Sequence, residues 1–90
     1  MAKHFECREH WRAVDTVRNI ARDYQLTVTL DLFCWTVVER HWGRIGCNGK
    51  GARDRFPNSA SARRFVDAAR RRRGSAKRRI GVAYRSVEET

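Results

Sequence analysis

Trp42-Gly43-Arg44, inside the run His41-Trp42-Gly43-Arg44-Ile45-Gly46, brings aromatic, flexible and cationic chemistry into three consecutive residues. An indole offers a flat apolar face, a glycine lets another chain approach the backbone, and a guanidinium grips phosphate or carboxylate through a bidentate fork. The glycine-rich turn Cys47-Asn48-Gly49-Lys50-Gly51 follows at once. Such a set points to nucleic-acid contact. Arg53 and Arg55 alternate on the next segment, with Lys50 beside them. With Arg44 they could form a strip that tracks phosphates, or they could be charges that keep a solvated edge strand from pairing. Arg70, Arg71, Arg72 and Arg73 form a second cationic block, suited to long-range attraction without base reading. Capping of a helix end would account for one or two of these four. Nothing resembles a recognition helix for base edges, so sequence specificity is not expected.

Catalysis finds little support in the residue pattern. A nuclease would cluster carboxylates around a metal, whereas Asp15, Asp23, Asp31 and Glu39 are scattered. A cysteine nucleophile needs a positioned base. Cys34 and His41 stand seven residues apart on one expected strand, about 23 Å if extended, and cannot meet locally. Cys47 lies closer to His41 on a turn, without other support. His4, Cys7 and His10 recur at three-residue spacing, with Cys47 as a conceivable fourth ligand, but a second knuckle pair is missing and no metal or other cofactor is expected. Three cysteines without an export signal read as reduced thiols.

The central run resembles the signature of the WGR domain, a small sheet-and-helix module of DNA-dependent poly(ADP-ribose) polymerases that also occurs alone in short bacterial proteins. The resemblance is carried by Asp15 to Asn19, Ala21-Arg22, Tyr24, Asp31-Leu32-Phe33, Trp35, Val37-Val38, the Trp-Gly-Arg run, Phe56-Pro57 and an alanine- and arginine-rich helix. It spans roughly residues 11 to 87. It implies that Trp42 stacks on the sugar of a terminal nucleotide at a DNA break and that Arg44 contacts backbone. Short bacterial members often carry glycine near the position of Cys34 and an Arg-Gly-Tyr ending after the helix. Here the ending matches either Arg73-Gly74-Ser75 or Ile80-Gly81-Val82-Ala83-Tyr84, which leaves the last strand's register open. In the polymerases the module relays DNA binding to a catalytic domain, so a protein partner that supplies catalysis is a further expectation.

Ninety residues make one domain, and a chain of that size buries only about 60% of the surface its unfolded form exposes. No apolar run approaches the roughly 18 residues of a membrane span, so no membrane partner is expected. The N-terminal residues lack the apolar stretch of a secretory signal, which suggests the cytoplasm, with association to the nucleoid open. The net charge of +10 is unevenly placed: up to His41 six basic residues meet six acidic ones, and from Trp42 onward fourteen meet four. Such a field favours polyanions, and arginine's fork matches phosphate oxygens. An arginine-rich codon bias is the bland alternative, against which the neutral first half argues. DNA is the expected partner, preferably at ends, nicks or single-strand junctions; RNA stays open and no small-molecule substrate is implied. The competing reading is an adaptor that docks an acidic protein through its basic helix and strand face.

The elements that must hold these residues form an α+β domain, a small antiparallel sheet with one main helix packed on it. Residues 1–10 read as a tail, 11–87 as the domain and 88–90 as a second tail. A β-like segment starts at Trp11, and a strand runs from about Ile20 to Thr29 with Tyr24, Leu26, Val28 and Leu30 on one face. Asp31 and Leu32 turn the chain into a second strand, where Phe33, Trp35, Val37 and Glu39 share one parity and Cys34, Thr36, Val38 and Arg40 the other. Trp35, in mid-strand, is expected in the core. Trp42 has the other parity and could be core or platform. Gly43 could be needed for the approach of a nucleic acid or could simply end the strand. A third strand follows through Ala52, Asp54 and Phe56, stopped by Pro57, with Asn58 or Ser59 capping the helix. Ala62, Phe65, Val66 and Ala69 make its buried stripe, and Asp67 can pair with Arg63 and Arg71. Gly74 and Ser75 end the helix, and a last strand is expected through Ile80, Val82 and Tyr84 or Val87.

Overall fold

The computed structural model describes residues 7–87. Strands β1 (Cys7–Asp15), β2 (Ile20–Leu30), β3 (Thr36–Arg44) and β4 (Lys50–Phe56) precede helix α1 (Ser59–Gly74), the short α2 (Ala76–Ile80) and β5 (Arg85–Ser86). They form a five-stranded antiparallel sheet in the order β4-β3-β2-β1-β5 with one main helix, an α+β fold. No described helix is long and apolar enough to cross a membrane.

Alternation on β2 works as its spacing predicts: Tyr24, Leu26 and Val28 are buried and the residues between them are not. Register then selects the neighbours on the same face, with Val28 opposite Cys7 and Val38, and Tyr24 opposite Trp11 and Trp42. Helix α1 covers this face. Asn58 caps it, its side chain accepting from the Ser61 N–H at 2.8 Å, and Pro57 just before it ends β4. Ala62 and Val66 close the core against Tyr24, Leu26, Val28 and Val38, with Phe65 and Ala69 packed at its margin. Small residues at two helix positions let the helix lie near the sheet.

Some sequence expectations change. Residues 7–10, read as part of a frayed or strand-forming tail, are the first residues of β1, whose Cys7 and Trp11 pack at the core's edge. Trp35 is not in the core. It is 39% exposed, beside Leu32 at 97% and Phe33 at 77%, because the β2–β3 turn takes five residues and delays β3 until Thr36. Asp31 organises that turn: its Oδ1 accepts from the N–H groups of Phe33 at 2.8 Å and Trp35 at 3.0 Å, and its Oδ2 accepts from Arg55. The apolar face of β3 towards the helix is therefore that of Thr36, Val38 and Trp42.

The chain after α1 also differs. Ala76–Ile80 is a second helix rather than the lead into a strand, since Ala, Lys and Arg are good helix formers and Gly81, at φ +83°, donates to the Lys77 carbonyl as a left-handed cap. The final strand is reduced to Arg85–Ser86, paired with Trp11 and Arg12 of β1 and continued by Val87 N–H to the His10 carbonyl at 2.8 Å. On α1, Asp67 pairs with Arg70 at 3.3 Å.

Candidate nucleic-acid interface

Strand β3 ends in the Trp-Gly-Arg run, and its pairing with β2 decides where each side chain goes. Trp42 lies opposite Tyr24 and Arg44 opposite Arg22, so Trp42, Arg44 and Arg40 share the helix side of the sheet. Beyond the reach of α1's small apolar stripe, a cleft of about 520 Å³ opens there, lined by Tyr24, Arg40, Trp42, Arg44, Arg73 and Tyr84 among others. Trp42 is half-buried, neither a core residue nor a free platform.

The guanidiniums in the cleft are held by rings and by backbone. Arg40 stacks over Trp42 at 5.3 Å and Phe65 at 4.9 Å, with one Nη 3.4 Å from Asp54. Arg73 lies 4.0 Å from the Tyr24 ring and 5.3 Å from that of Tyr84. Cation–π contact favours both arrangements. Among the described residues, the buried Nε of Arg40 and that of Arg73 meet no acceptor. Burial lowers the pKa of Arg73, opposed by the two tyrosines and aided by the cations of Arg72 and Arg79. Arg44 is fixed differently, donating to the Asn19 carbonyl at 3.1 Å and to Asn19 Oδ1 at 2.7 Å.

The turn after the run is built against it. A Cβ on Gly43 would stand 2.7 Å from the Gly49 Cα, and one on Gly49 would collide with the Trp42 carbonyl oxygen. Gly43 thus serves a close approach, but of the chain's own backbone. Gly49 has φ +68°, and His41 Nε2 donates to the neighbouring Asn48 carbonyl at 2.5 Å.

Other residues singled out in the sequence are dispersed. Lys50 pairs with Trp42 across β3–β4 and so stands beside the run on the same face. Arg53 and Arg55 pair with Glu39 and Val37 on the opposite face, so a single strip with Arg44 does not form. Arg53 lies 3.9 Å from Glu39, and Arg55 is bound to Asp31 and stacked over Trp35. The arginine block separates as well: Arg70 reaches Glu9 at 2.9 Å and Asp67, Arg73 enters the cleft, and Arg71 and Arg72 stay exposed. Sequence reasoning missed Tyr24, Arg40 and Tyr84 as cleft residues. Arg40 did carry a signal, a cation sharing parity with Val38 and Trp42.

Of the residues weighed for metal binding, His4 lies outside the described residues, and His10 Nε2 contacts Asp23 Oδ1 at 2.5 Å. Among the described residues no three His, Cys, Asp or Glu side chains gather in a way that could hold an ion. Cys34 and Cys47 are exposed free thiols and Cys7 a half-buried one.

No curated protein and no solved structure matches this chain. The WGR domain, a non-catalytic family of nucleic-acid-binding modules found in poly(ADP-ribose) polymerase-like proteins, matches residues 8–80, nearly the whole chain. With its Trp-Gly-Arg run closing β3 over a cationic, aromatic cleft, the chain belongs to the WGR domain family.

Proposed function

We propose that this protein is a non-catalytic DNA-binding module that prefers ends, nicks or single-strand junctions. The observation that carries the reading is the cleft at the end of β3, where Trp42 and Tyr84 stand among Arg40, Arg44 and Arg73. An aromatic face adds affinity only where a duplex end or a single strand exposes a base or sugar face, and guanidiniums supply the attraction to backbone phosphates. In this reading Trp42 stacks on the terminal nucleotide's sugar, while Arg44, oriented by Asn19, grips phosphate together with Lys50. Arg71 and Arg72 add long-range attraction from the outer side of α1.

A second reading, an adaptor for an acidic protein, draws on the exposed Arg71, Arg72, Lys77 and Arg78 around the α1–α2 junction. Binding of wild type and Trp42→Ala to a closed DNA dumbbell and to a blunt-ended duplex of the same sequence, at two salt concentrations, separates the two. End reading predicts that wild type favours the open duplex and that Trp42→Ala loses this preference. Equal binding of both DNAs by both proteins, sensitive only to salt, would refute it.

A further inference from the structure

The β2–β3 turn lies at the end of the sheet away from the Trp-Gly-Arg run, with the length of β3, about 27 Å, between them. Leu32 is 97% exposed there, Phe33 77% and Trp35 39%. An apolar residue exposed singly needs no explanation, but three within four positions make an apolar tip. The turn is ordered from within. Asp31 Oδ1 accepts from the N–H groups of Phe33 and Trp35, the Asp31 carbonyl accepts from the Cys34 N–H at 3.1 Å, and the Asp31 N–H donates to the Trp35 carbonyl at 3.0 Å. Asp31 Oδ2 holds Arg55, whose guanidinium stacks 4.8 Å from the Trp35 ring. These backbone groups can enter an apolar medium with their hydrogen bonds already made, which removes a large part of the cost of burying them.

Cations surround the tip. Arg55 belongs to it, and Arg8 near the start of β1 and Arg63 and Arg64 early in α1 are exposed on elements that begin at the same end. Of the carboxylates there, Asp31 is bound by Arg55 and Glu9 by Arg70. An apolar tip within a cationic rim complements a surface that is anionic outside and apolar beneath. A second copy of the chain would bring the same cations against it. A stable protein interface also takes about 800 Å² and roughly 20–30 residues a side, more than a convex tip of three side chains offers. A bilayer requires no matching groove, and its anionic headgroups attract exposed arginines.

We propose that the β2–β3 turn docks this protein on an anionic lipid bilayer. Leu32 and Phe33 enter the boundary of the acyl chains, Trp35 sits at the level of the headgroups, and Arg8, Arg55, Arg63 and Arg64 meet lipid phosphates. The bilayer is touched and not spanned, so no spanning helix is required. Docking there leaves the Trp-Gly-Arg end turned away from the lipid, and nothing in it depends on nucleic-acid binding.

The test is co-sedimentation with vesicles of phosphatidylcholine alone and of phosphatidylcholine mixed equally with phosphatidylglycerol. Wild type should sediment with the mixed vesicles and stay in solution with the neutral ones. The double variant Leu32→Ser, Phe33→Ser, altered only at exposed positions, should keep the wild-type melting midpoint and bind the mixed vesicles at least about tenfold more weakly. Equal binding by variant and wild type would mean adsorption by charge alone and would overturn docking through the turn. Absence of wild-type binding would overturn it as well, and self-association that wild type shows and the variant loses would then assign the tip to a second copy. A further readout is independent of how the double variant folds. Mixed vesicles with brominated acyl chains should quench wild type more than Trp35→Phe, and equal quenching of the two proteins would place Trp35 away from the bilayer and refute the proposal.

Discussion

Substituting Gly49 by alanine tests whether the turn after β3 is built against the Trp-Gly-Arg run. At φ +68° an alanine pays for a left-handed backbone, about 1–2 kcal/mol. Its Cβ would also overlap the Trp42 carbonyl oxygen and come within 3.1 Å of the carbonyl carbon and 3.2 Å of His41 Cε1. The first two atoms are backbone, so the turn must move, loosening the His41–Asn48 hydrogen bond at a further cost of about 0.5–1.5 kcal/mol. Together the loss is about 1.5–3.5 kcal/mol, and at roughly 4–8 °C per kcal/mol for a domain of this size the melting midpoint should fall by about 6–28 °C. Gly46 supplies the control. It has φ +84° with nothing within 4 Å of its virtual Cβ, so Gly46→Ala carries the backbone cost alone. Urea unfolding followed by circular dichroism should rank Gly49→Ala about 0.5–1.5 kcal/mol below Gly46→Ala. Equal stability of the two variants, or the reverse order, would refute the close approach of turn and strand.

Further outcomes follow from the packing and the charges. Leu26, at 0% exposure in the centre of the core, should cost about 2–5 kcal/mol on truncation to alanine, read as a lower urea midpoint. Cys34 sits at φ +62°, so Cys34→Gly should raise stability by about 0.5–1 kcal/mol, and a lower melting midpoint would contradict that. Partial burial pushes the Asp23 carboxyl up, but hydrogen bonds from His10, Arg12 and Gln25 outweigh it and hold the pKa below the usual range. A depressed folded-state pKa means stability that is complete above the unfolded value of about 3.9 and lost as pH falls through the folded one. Asp23→Asn should therefore lose less stability than wild type between about pH 6 and pH 3, measured by urea unfolding, and an equal loss would argue against the network. Replacing exposed Arg71 and Arg72 by glutamine should make the log affinity versus log salt slope for DNA shallower by up to about 2, at 0.9 per phosphate contact.

Much of the fold was legible from local pattern. The alternation of Tyr24, Leu26 and Val28, the stop at Pro57, the Asn58 cap and the stripe through Ala62 and Val66 all act between residues close in sequence. Their physics is the two-residue period of a strand and the 3.6-residue period of a helix. The charge asymmetry and the Trp-Gly-Arg run were likewise plain in the chain itself, and they located the candidate site at the end of β3.

What the sequence could not decide is which face of β3 the helix covers, because parity sorts residues into two sets without naming the inner one. That choice came from long-range pairing with β2 and contact with α1, and it half-buried Trp42, while the start of β3 at Thr36 left Trp35 in the turn and exposed. The same pairing put Arg53 and Arg55 behind the sheet, away from Arg44. Arg73 looked like one of four equivalent cations until the helix placed it between Tyr24 and Tyr84, residues 49 and 11 positions away. The chain alone determined periods, caps and charge. Tertiary structure alone decided which cations lost water and gained rings, since desolvation depends on neighbours that only folding brings together.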